Sequence, residues 1–226
     1  MNEILDRLRG GLVASCQPVD NGPMDRPEIV AAMAEACVIG GAVGLRIEGV
    51  DNLGAARRLS GVPIIGLVKT DLPYSPVRIT VSRRDVAQLR DAGADIIAYD
   101  GTSRPRKDER ELILADILAS GALAMADCAT VEDAKAALAG GAQIIGTTMS
   151  GYTAETSERG DEPDLSLVSE FRSLGGFVMA EGRYNTPRLA AAAMAAGADC
   201  VTVGSALTRL EVVTAWFADA VAGARS

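Results

Sequence analysis

The stretch "DAGADIIAYDG" (91–101) contains a pattern that occurs three more times in the chain. A glycine typical of a helix end leads through an alanine into a short apolar, β-branched run. Related stretches are "GGAVGLRIEG" (40–49), "AGGAQIIGTTM" (139–149) and "AAGADCVTVGS" (195–205). The four lie about 50 residues apart, a spacing that suits two strand–helix units rather than one. The pattern therefore predicts one further strand in each interval.

Apolar segments with the composition of buried strands occupy those intervals. They are "GLVASCQ" (11–17), "VPIIGLVK" (62–69), "GALAMAD" (121–127) and "GGFVMAEG" (175–182). Helical patterns separate the strands, at 27–39, 50–59, 82–92, 107–120, 130–139, 164–174, 186–196 and 210–222. Alternating strands and helices of this number predict an α/β fold, a single (β/α)8 TIM barrel with one domain over 1–226. A doubly wound open sheet is the alternative, but no G-x-G-x-x-G follows the first strand.

Composition and charge restrict the compartment and the partners. The chain has 22 Lys and Arg against 30 Asp and Glu, a net charge of −8, which disfavours nucleic acid and anionic membranes as partners. We expect no membrane association, because the sequence has neither an apolar signal core nor an apolar run of about 18 residues. The four scattered cysteines are typical of reduced thiols, so a cytoplasmic protein is expected.

The chain contains no histidine. This excludes every Ser-His and Cys-His catalytic arrangement. Because imidazole is a common zinc ligand in catalytic sites, we expect no metal site either. Acid–base chemistry must then use Lys, Asp, Glu, Tyr or Cys.

Polar residues end the odd-numbered predicted strands. They are Gln17, Lys69, Asp127 and Glu181. Active sites of such barrels lie at the C-terminal ends of the strands, and alternate strands contribute to one layer of side chains. We therefore expect the four side chains to form a ring at the barrel mouth. A structural ion-pair network, or plain solvation of the strand ends, is the competing interpretation.

Arginine and glycine residues indicate an anionic ligand. Arg46, on the second strand, alternates with Leu45 and Ile47, so it should point into the barrel and needs Glu48 or an anionic ligand as its partner. Phosphate commonly binds to the loops after strands 7 and 8 of such barrels. Those loops contain Gly182, Arg183, Gly204, Ser205 and Arg209. The charged run "SRPRKDERE" (103–111) is expected to be a solvated loop and helix start.

A phosphate pocket with a lysine and two carboxylates suits proton abstraction next to a carbonyl group. Lysine is a base only when neutral, which requires burial or a neighbouring cation to lower its pKa. Lys69 follows an apolar run, and Arg46 is a candidate cation. A Schiff-base lyase or aldolase would use the same lysine property, so these residues alone do not separate the two reactions. A barrel that binds sugar phosphate without catalysis is a third hypothesis.

Several motifs together resemble the N-acetylmannosamine-6-phosphate 2-epimerases of sialic-acid catabolism. They are "VASCQPVDNGPM", "GLRIEGVDN", "PIIGLVKTDLPYSPVRIT", "IIAYDGTSRPR", "AMADCAT", "GTTMSGYT", "AEGRYNTP" and "VGSALTR", which cover residues 10–210. The resemblance implies a TIM barrel that interconverts N-acetylmannosamine 6-phosphate and N-acetylglucosamine 6-phosphate without a metal or organic cofactor. It also implies a homodimer.

The resemblance assigns roles to individual residues. Lys69 matches the family's catalytic lysine, which moves the C2 proton, and Glu181 matches its catalytic glutamate. Gln17, Arg46 and Asp127 match residues that hold the sugar. Residues in the phosphate-binding loops are Gly182, Arg183, Gly204, Ser205 and Arg209.

Overall fold

Eight parallel strands close into a barrel in which each strand pairs with its neighbours in the sequence, and β8 pairs with β1. The structure is a computed structural model that describes residues 2–224. Met1, Arg225 and Ser226 of the predicted 1–226 domain lie outside the described residues. The predicted (β/α)8 TIM barrel is confirmed.

The strands are shorter than the apolar stretches that predict them, because each stretch also includes a turn. Their bounds are β1 Leu12–Cys16, β2 Gly44–Glu48, β3 Ile64–Leu67, β4 Ile96–Asp100, β5 Leu123–Asp127, β6 Ile144–Gly146, β7 Phe177–Glu181 and β8 Cys200–Val203. Positive φ angles at Gly41, Gly93, Gly141 and Gly197 mark the turns that lie within the four repeated stretches, just before strands β2, β4, β6 and β8. Glycine adopts this conformation without the steric cost that other residues meet.

Every predicted helix is present. The helices are α1 Glu3–Leu8, α2 Pro27–Ile39, α3 Val50–Leu59, α4 Arg83–Asp91, α5 Arg110–Ala119, α6 Val131–Ala139, α7 Leu165–Arg172, α8 Pro187–Ala195, α9 Ser205–Thr208 and α10 Leu210–Gly223. A 3₁₀ helix covers Ala154–Arg159. This 3₁₀ helix, α1 and α9 are not predicted by the sequence patterns. Among the described residues, no helix has the length and apolar character needed to cross a membrane.

Side chains alternate between two apolar layers. Inward-facing residues such as Val13, Ile65 and Met125 fill the barrel, and outward-facing residues such as Leu45 and Ile47 pack under the helices. This alternation directs Arg46 into the barrel, as predicted. The inner layer is fully apolar near the N-terminal ends of the strands, so polar side chains are concentrated at the C-terminal mouth.

Candidate active site

A cavity of about 500 Å³ opens at the C-terminal mouth of the barrel. Eight of the ten predicted site residues line it, namely Gln17, Lys69, Glu181, Gly182, Arg183, Gly204, Ser205 and Arg209. The other two, Arg46 and Asp127, lie beneath this lining and are almost fully buried. Within the described chain, no group of three or more Cys, Asp or Glu side chains is arranged to hold a metal ion.

Arg46 forms a buried ion-pair network with two carboxylates. Its side chain is 2% exposed, and its Nη2 donates to Asp127 Oδ2 at 2.7 Å. Its Nε lies 3.0 Å from Glu181 Oε1. Glu48, one of the two partners expected from the sequence, instead accepts a hydrogen bond from the backbone N–H of Lys69. That alternative was wrong because residues far apart in the chain meet inside a closed barrel, whereas an anionic ligand as a partner of Arg46 stays a prediction.

Asp127 is fully engaged within the protein. Its Oδ1 accepts from the Thr148 hydroxyl at 2.7 Å, while its Oδ2 is held by Arg46. Asp127 holds Arg46, and Arg46 in turn fixes the position of Glu181 from beneath the cavity lining.

Glu181 has an unusual electrostatic environment at the cavity floor. Burial, assisted by the neighbouring Asp127 carboxylate, raises the pKa of Glu181 to about 7 although Arg46 opposes this shift. Its second oxygen, Oε2, is buried without a hydrogen-bond partner among residues 2–224. This carboxyl group can therefore exist in either protonation state near neutral pH, as acid–base catalysis requires.

Lys69 also has a shifted pKa. Burial lowers the pKa of Lys69, and the positive charges of Arg209 and Arg46 lower it further, against an opposing effect of Glu48. Burial and the charge of Arg46, the two causes of a lowered pKa that were expected from the sequence, are both present. The charge of Arg209 is a third cause. At a given pH, a larger fraction of this amine is therefore neutral than in a solvated lysine.

The chain folds back on itself after β3, which fixes Lys69 at the cavity wall. Lys69 forms an antiparallel bridge with Ile79, and Thr70 N–H donates to the Arg78 carbonyl at 2.9 Å. This short hairpin brings Arg78 and Ile79 to the cavity. The backbone of Lys69 is thus held by this hairpin, although the residue lies beyond the end of β3.

A second cluster of charges surrounds Asp100 at the end of β4. Arg104 Nη2 donates to Asp100 Oδ2 at 2.5 Å, and Arg106 Nη1 donates to the Asp100 carbonyl at 2.5 Å. The Thr102 hydroxyl donates to Asp100 Oδ1 at 2.6 Å. The expectation of a solvated loop at 103–111 was therefore wrong in part, because the side chain of Arg106 is only 4% exposed. Burial of the Asp100 carboxylate requires these arginines to fold over it.

The loops after β7 and β8 form the opposite side of the cavity. Gly182 has a φ of +110°, which L-residues rarely adopt. Arg183 Nη2 donates to the Ser150 carbonyl at 2.8 Å, and its guanidinium lies 4.9 Å from the centre of the Tyr152 ring. Arg209 Nε donates to the Gln17 carbonyl at 2.9 Å. Arg183 thus connects the loop after β6 to the loop after β7, while Arg209 connects β1 to β8.

Several cavity residues were missed by the sequence analysis. The set includes Arg78, Asp100, Arg104, Thr148, Tyr152 and Thr202. Asp100 ends β4 and Thr148 follows β6, so both could have been found by applying the strand-end argument to all eight strands. Arg78 and Tyr152 lie in long loops, for which the sequence has no comparable signal.

Comparisons with known proteins agree on one family. A family profile described as "Putative N-acetylmannosamine-6-phosphate epimerase" matches residues 30–223. A relative from Haemophilus influenzae, named "Putative N-acetylmannosamine-6-phosphate 2-epimerase", is 59% identical over 99% of this chain and 97% of its own length. A relative of the same name from Pasteurella multocida is 58% identical over the same shares.

A solved structure leads to the same family. It is an N-acetylmannosamine-6-phosphate 2-epimerase from Clostridium perfringens, with a TM-score of 0.93 and 32% identity. The similarity covers 96% of both chains. The chain belongs to the N-acetylmannosamine-6-phosphate 2-epimerase family.

Proposed function

We propose that this protein is an isomerase that interconverts N-acetylmannosamine 6-phosphate and N-acetylglucosamine 6-phosphate by epimerisation at C2. The observation that carries the proposal is the pairing of Lys69 and Glu181 in one cavity. The pKa of the first is lowered and the pKa of the second is raised to about 7. The names of the related epimerases support the choice of substrate.

The reaction begins from the open-chain aldehyde, because the C2 proton is acidic only next to a carbonyl group. Neutral Lys69 removes this proton in one direction, and protonated Glu181 returns a proton to the opposite face of C2. The reverse direction starts with charged Lys69 and ionised Glu181. In both starting states, Lys69 and Glu181 together carry one titratable proton. The rates of the forward and reverse reactions should therefore depend on pH in the same way.

Other residues of the site bind and orient the substrate. We propose that the phosphate group binds at Gly182, Gly204 and Ser205, with Arg183 and Arg209 supplying positive charge. Gln17 is proposed to contact the sugar. Because Arg46 and Asp127 lie beneath the cavity lining, we propose that they hold Glu181 in place. Their direct binding of the sugar, implied by the family resemblance, stays a prediction.

The two alternative functions find less support. A Schiff-base lyase would form a covalent imine between Lys69 and a carbonyl carbon, and no relative described above is named a lyase. A non-catalytic binding barrel would not require paired acid–base groups at the cavity floor. Borohydride treatment during turnover distinguishes the first alternative, because only an imine is trapped as a stable adduct on the lysine.

The test of the proposed function is direct conversion of one sugar phosphate into the other. Purified protein mixed with N-acetylmannosamine 6-phosphate should produce N-acetylglucosamine 6-phosphate, followed by proton NMR at the anomeric and acetyl signals. Mixing it with the product should lead to the same equilibrium ratio. No conversion in either direction would exclude the proposed activity.

The pH dependence of kcat/KM should be bell-shaped. Activity should rise as pH increases through about 7, where Glu181 or its pair with Lys69 loses the first proton. It should fall again at an alkaline pH below 10.5, the ordinary pKa of a lysine, because the pKa of Lys69 is lowered from that value. Initial rates between pH 5 and 10 provide the measurement. A profile flat from pH 5 to 8 would contradict the assigned roles.

We also propose that the reaction belongs to the breakdown of amino sugars, including sialic acid, in the cytoplasm. All four cysteines are free thiols, which suits a reducing compartment. No metal or organic cofactor is required for proton transfer at C2 by two side chains.

We propose that the protein is a homodimer in which α10 contributes to the interface. Trp216, Phe217 and Val221 of this helix are exposed, Phe217 to 70%. None of the α10 residues Leu210–Gly223 is buried. A long apolar helix without a buried residue is typical of a protein–protein contact rather than of a solvated surface.

The dimer can be tested by analytical ultracentrifugation. The wild-type protein should sediment at about twice the chain mass of 23.4 kDa, and Phe217→Glu should shift it towards the monomer by placing a charge in the contact. Leu112→Glu is a matched control, since Leu112 is also exposed but lies on α5. A monomeric wild-type protein would overturn the proposal.

A further inference from the structure

Thr202 places an unpaired hydroxyl group on the cavity floor. It lies on β8 between Val201 and Val203, which face the helices, so its own side chain points into the barrel. Thr202 lines the cavity and is 2% exposed. Its Oγ1 is buried and has no hydrogen-bond partner among the described residues.

Neighbouring inward-facing hydroxyl groups differ from Thr202 in this respect. The Ser15 hydroxyl accepts from Gln17 Nε2 at 2.9 Å, and the Thr148 hydroxyl donates to Asp127 at 2.7 Å. A buried hydroxyl without a partner lowers stability, and valine would fill the same space without this cost. Interactions within the folded chain therefore do not explain why a residue with a hydroxyl group is present at position 202.

The position of Thr202 connects it to the acid–base group. Thr202 is the direct register partner of Glu181 across the β7–β8 pair. Glu181 Oε2 is likewise buried without a partner in the described part of the chain. Thr202 and Glu181 are thus adjacent residues that both line the cavity, and each has a polar oxygen that the described residues leave unpaired. This indicates that a ligand with its own polar groups completes both.

We propose that the Thr202 hydroxyl donates a hydrogen bond to the C1 oxygen of the open-chain sugar during epimerisation. This rests on the proposed function. When C2 loses its proton, negative charge moves onto the C1 oxygen, and a hydrogen-bond donor placed next to Glu181 stabilises this charge. Thr202 forms no covalent bond and transfers no proton. It stabilises the enolate while Lys69 and Glu181 exchange protons with C2.

The test compares Thr202→Val with Thr202→Ser. The valine variant keeps the shape but loses the donor, so kcat should fall about 10- to 100-fold while KM changes less than about threefold. The serine variant keeps the hydroxyl and should recover most of the lost kcat. The melting temperature of Thr202→Val should equal or exceed that of the wild type, because the hydroxyl forms no bond within the protein.

Thr208→Val supplies the contrast for stability. The Thr208 hydroxyl donates to the Ser15 carbonyl at 2.7 Å, so its removal should lower the melting temperature. Wild-type kcat in Thr202→Val, a loss confined to KM, or a melting temperature as low as that of Thr208→Val would each overturn the inference. An inactive wild-type enzyme in the same assay would instead refute the proposed function, together with this inference.

Discussion

Replacing Lys69 with methionine should lower kcat by about 10²- to 10⁴-fold, the contribution typical of a general base. Methionine keeps a similar length and apolar stem but cannot accept the C2 proton. Burial lowers the pKa of Lys69, so the folded state disfavours the charged amine relative to the unfolded chain. At neutral pH, Lys69→Met should therefore be at least as stable as the wild type, measured by thermal unfolding.

Lys69→Arg is the matched control for charge. Arginine keeps the positive charge near the phosphate site but stays protonated throughout the accessible pH range. If Lys69 is a base, the arginine variant should be as inactive as the methionine variant. Substantial activity in Lys69→Arg would show that the charge alone is needed and would contradict the base assignment.

Replacing Arg46 with methionine should destabilise the protein by about 3–5 kcal/mol, because it leaves two buried carboxylates without their cation. Arg46 contacts both Asp127 and Glu181. Arg46 opposes the rise in the pKa of Glu181, so loss of the guanidinium should raise this pKa further. The folded variant then holds a proton on Glu181 at pH values where the unfolded chain has lost it. The loss of stability should therefore be larger at pH 8 than at pH 5.5, measured by urea unfolding at both values.

Two variants control for this interpretation. Arg83→Met removes an ion pair with Asp116 at the protein surface, and it should lower stability much less than Arg46→Met. Adding Asp127→Asn to Arg46→Met should restore part of the stability, because it removes one of the uncompensated charges. Equal stability losses for Arg46→Met and Arg83→Met would contradict the buried network.

Local sequence patterns were enough to predict the barrel. The predicted helices 27–39 and 50–59 agree at both ends with α2 and α3. Glycine turns and apolar runs are local features, since they depend on backbone conformation and burial within one strand–helix unit. The inward direction of Arg46 follows from the same local alternation.

The site could be predicted only in part, because its electrostatics depend on contacts across the barrel. The sequence indicated that Lys69 and Glu181 end two strands, but not that Arg46 pairs with Asp127 and Glu181. Such pairs join residues 81 or more positions apart, and no local pattern encodes them. The hairpin that holds Lys69 against Ile79 likewise depends on tertiary packing of a loop.

Epimerisation in D₂O tests the central claim most directly. If Lys69 and Glu181 exchange protons with C2 through an enolate, N-acetylglucosamine 6-phosphate formed from unlabelled N-acetylmannosamine 6-phosphate should carry deuterium at C2. Proton NMR should then show loss of the C2 signal and collapse of its coupling to the C1 proton. Product that fully retains hydrogen at C2 after complete conversion would contradict this mechanism.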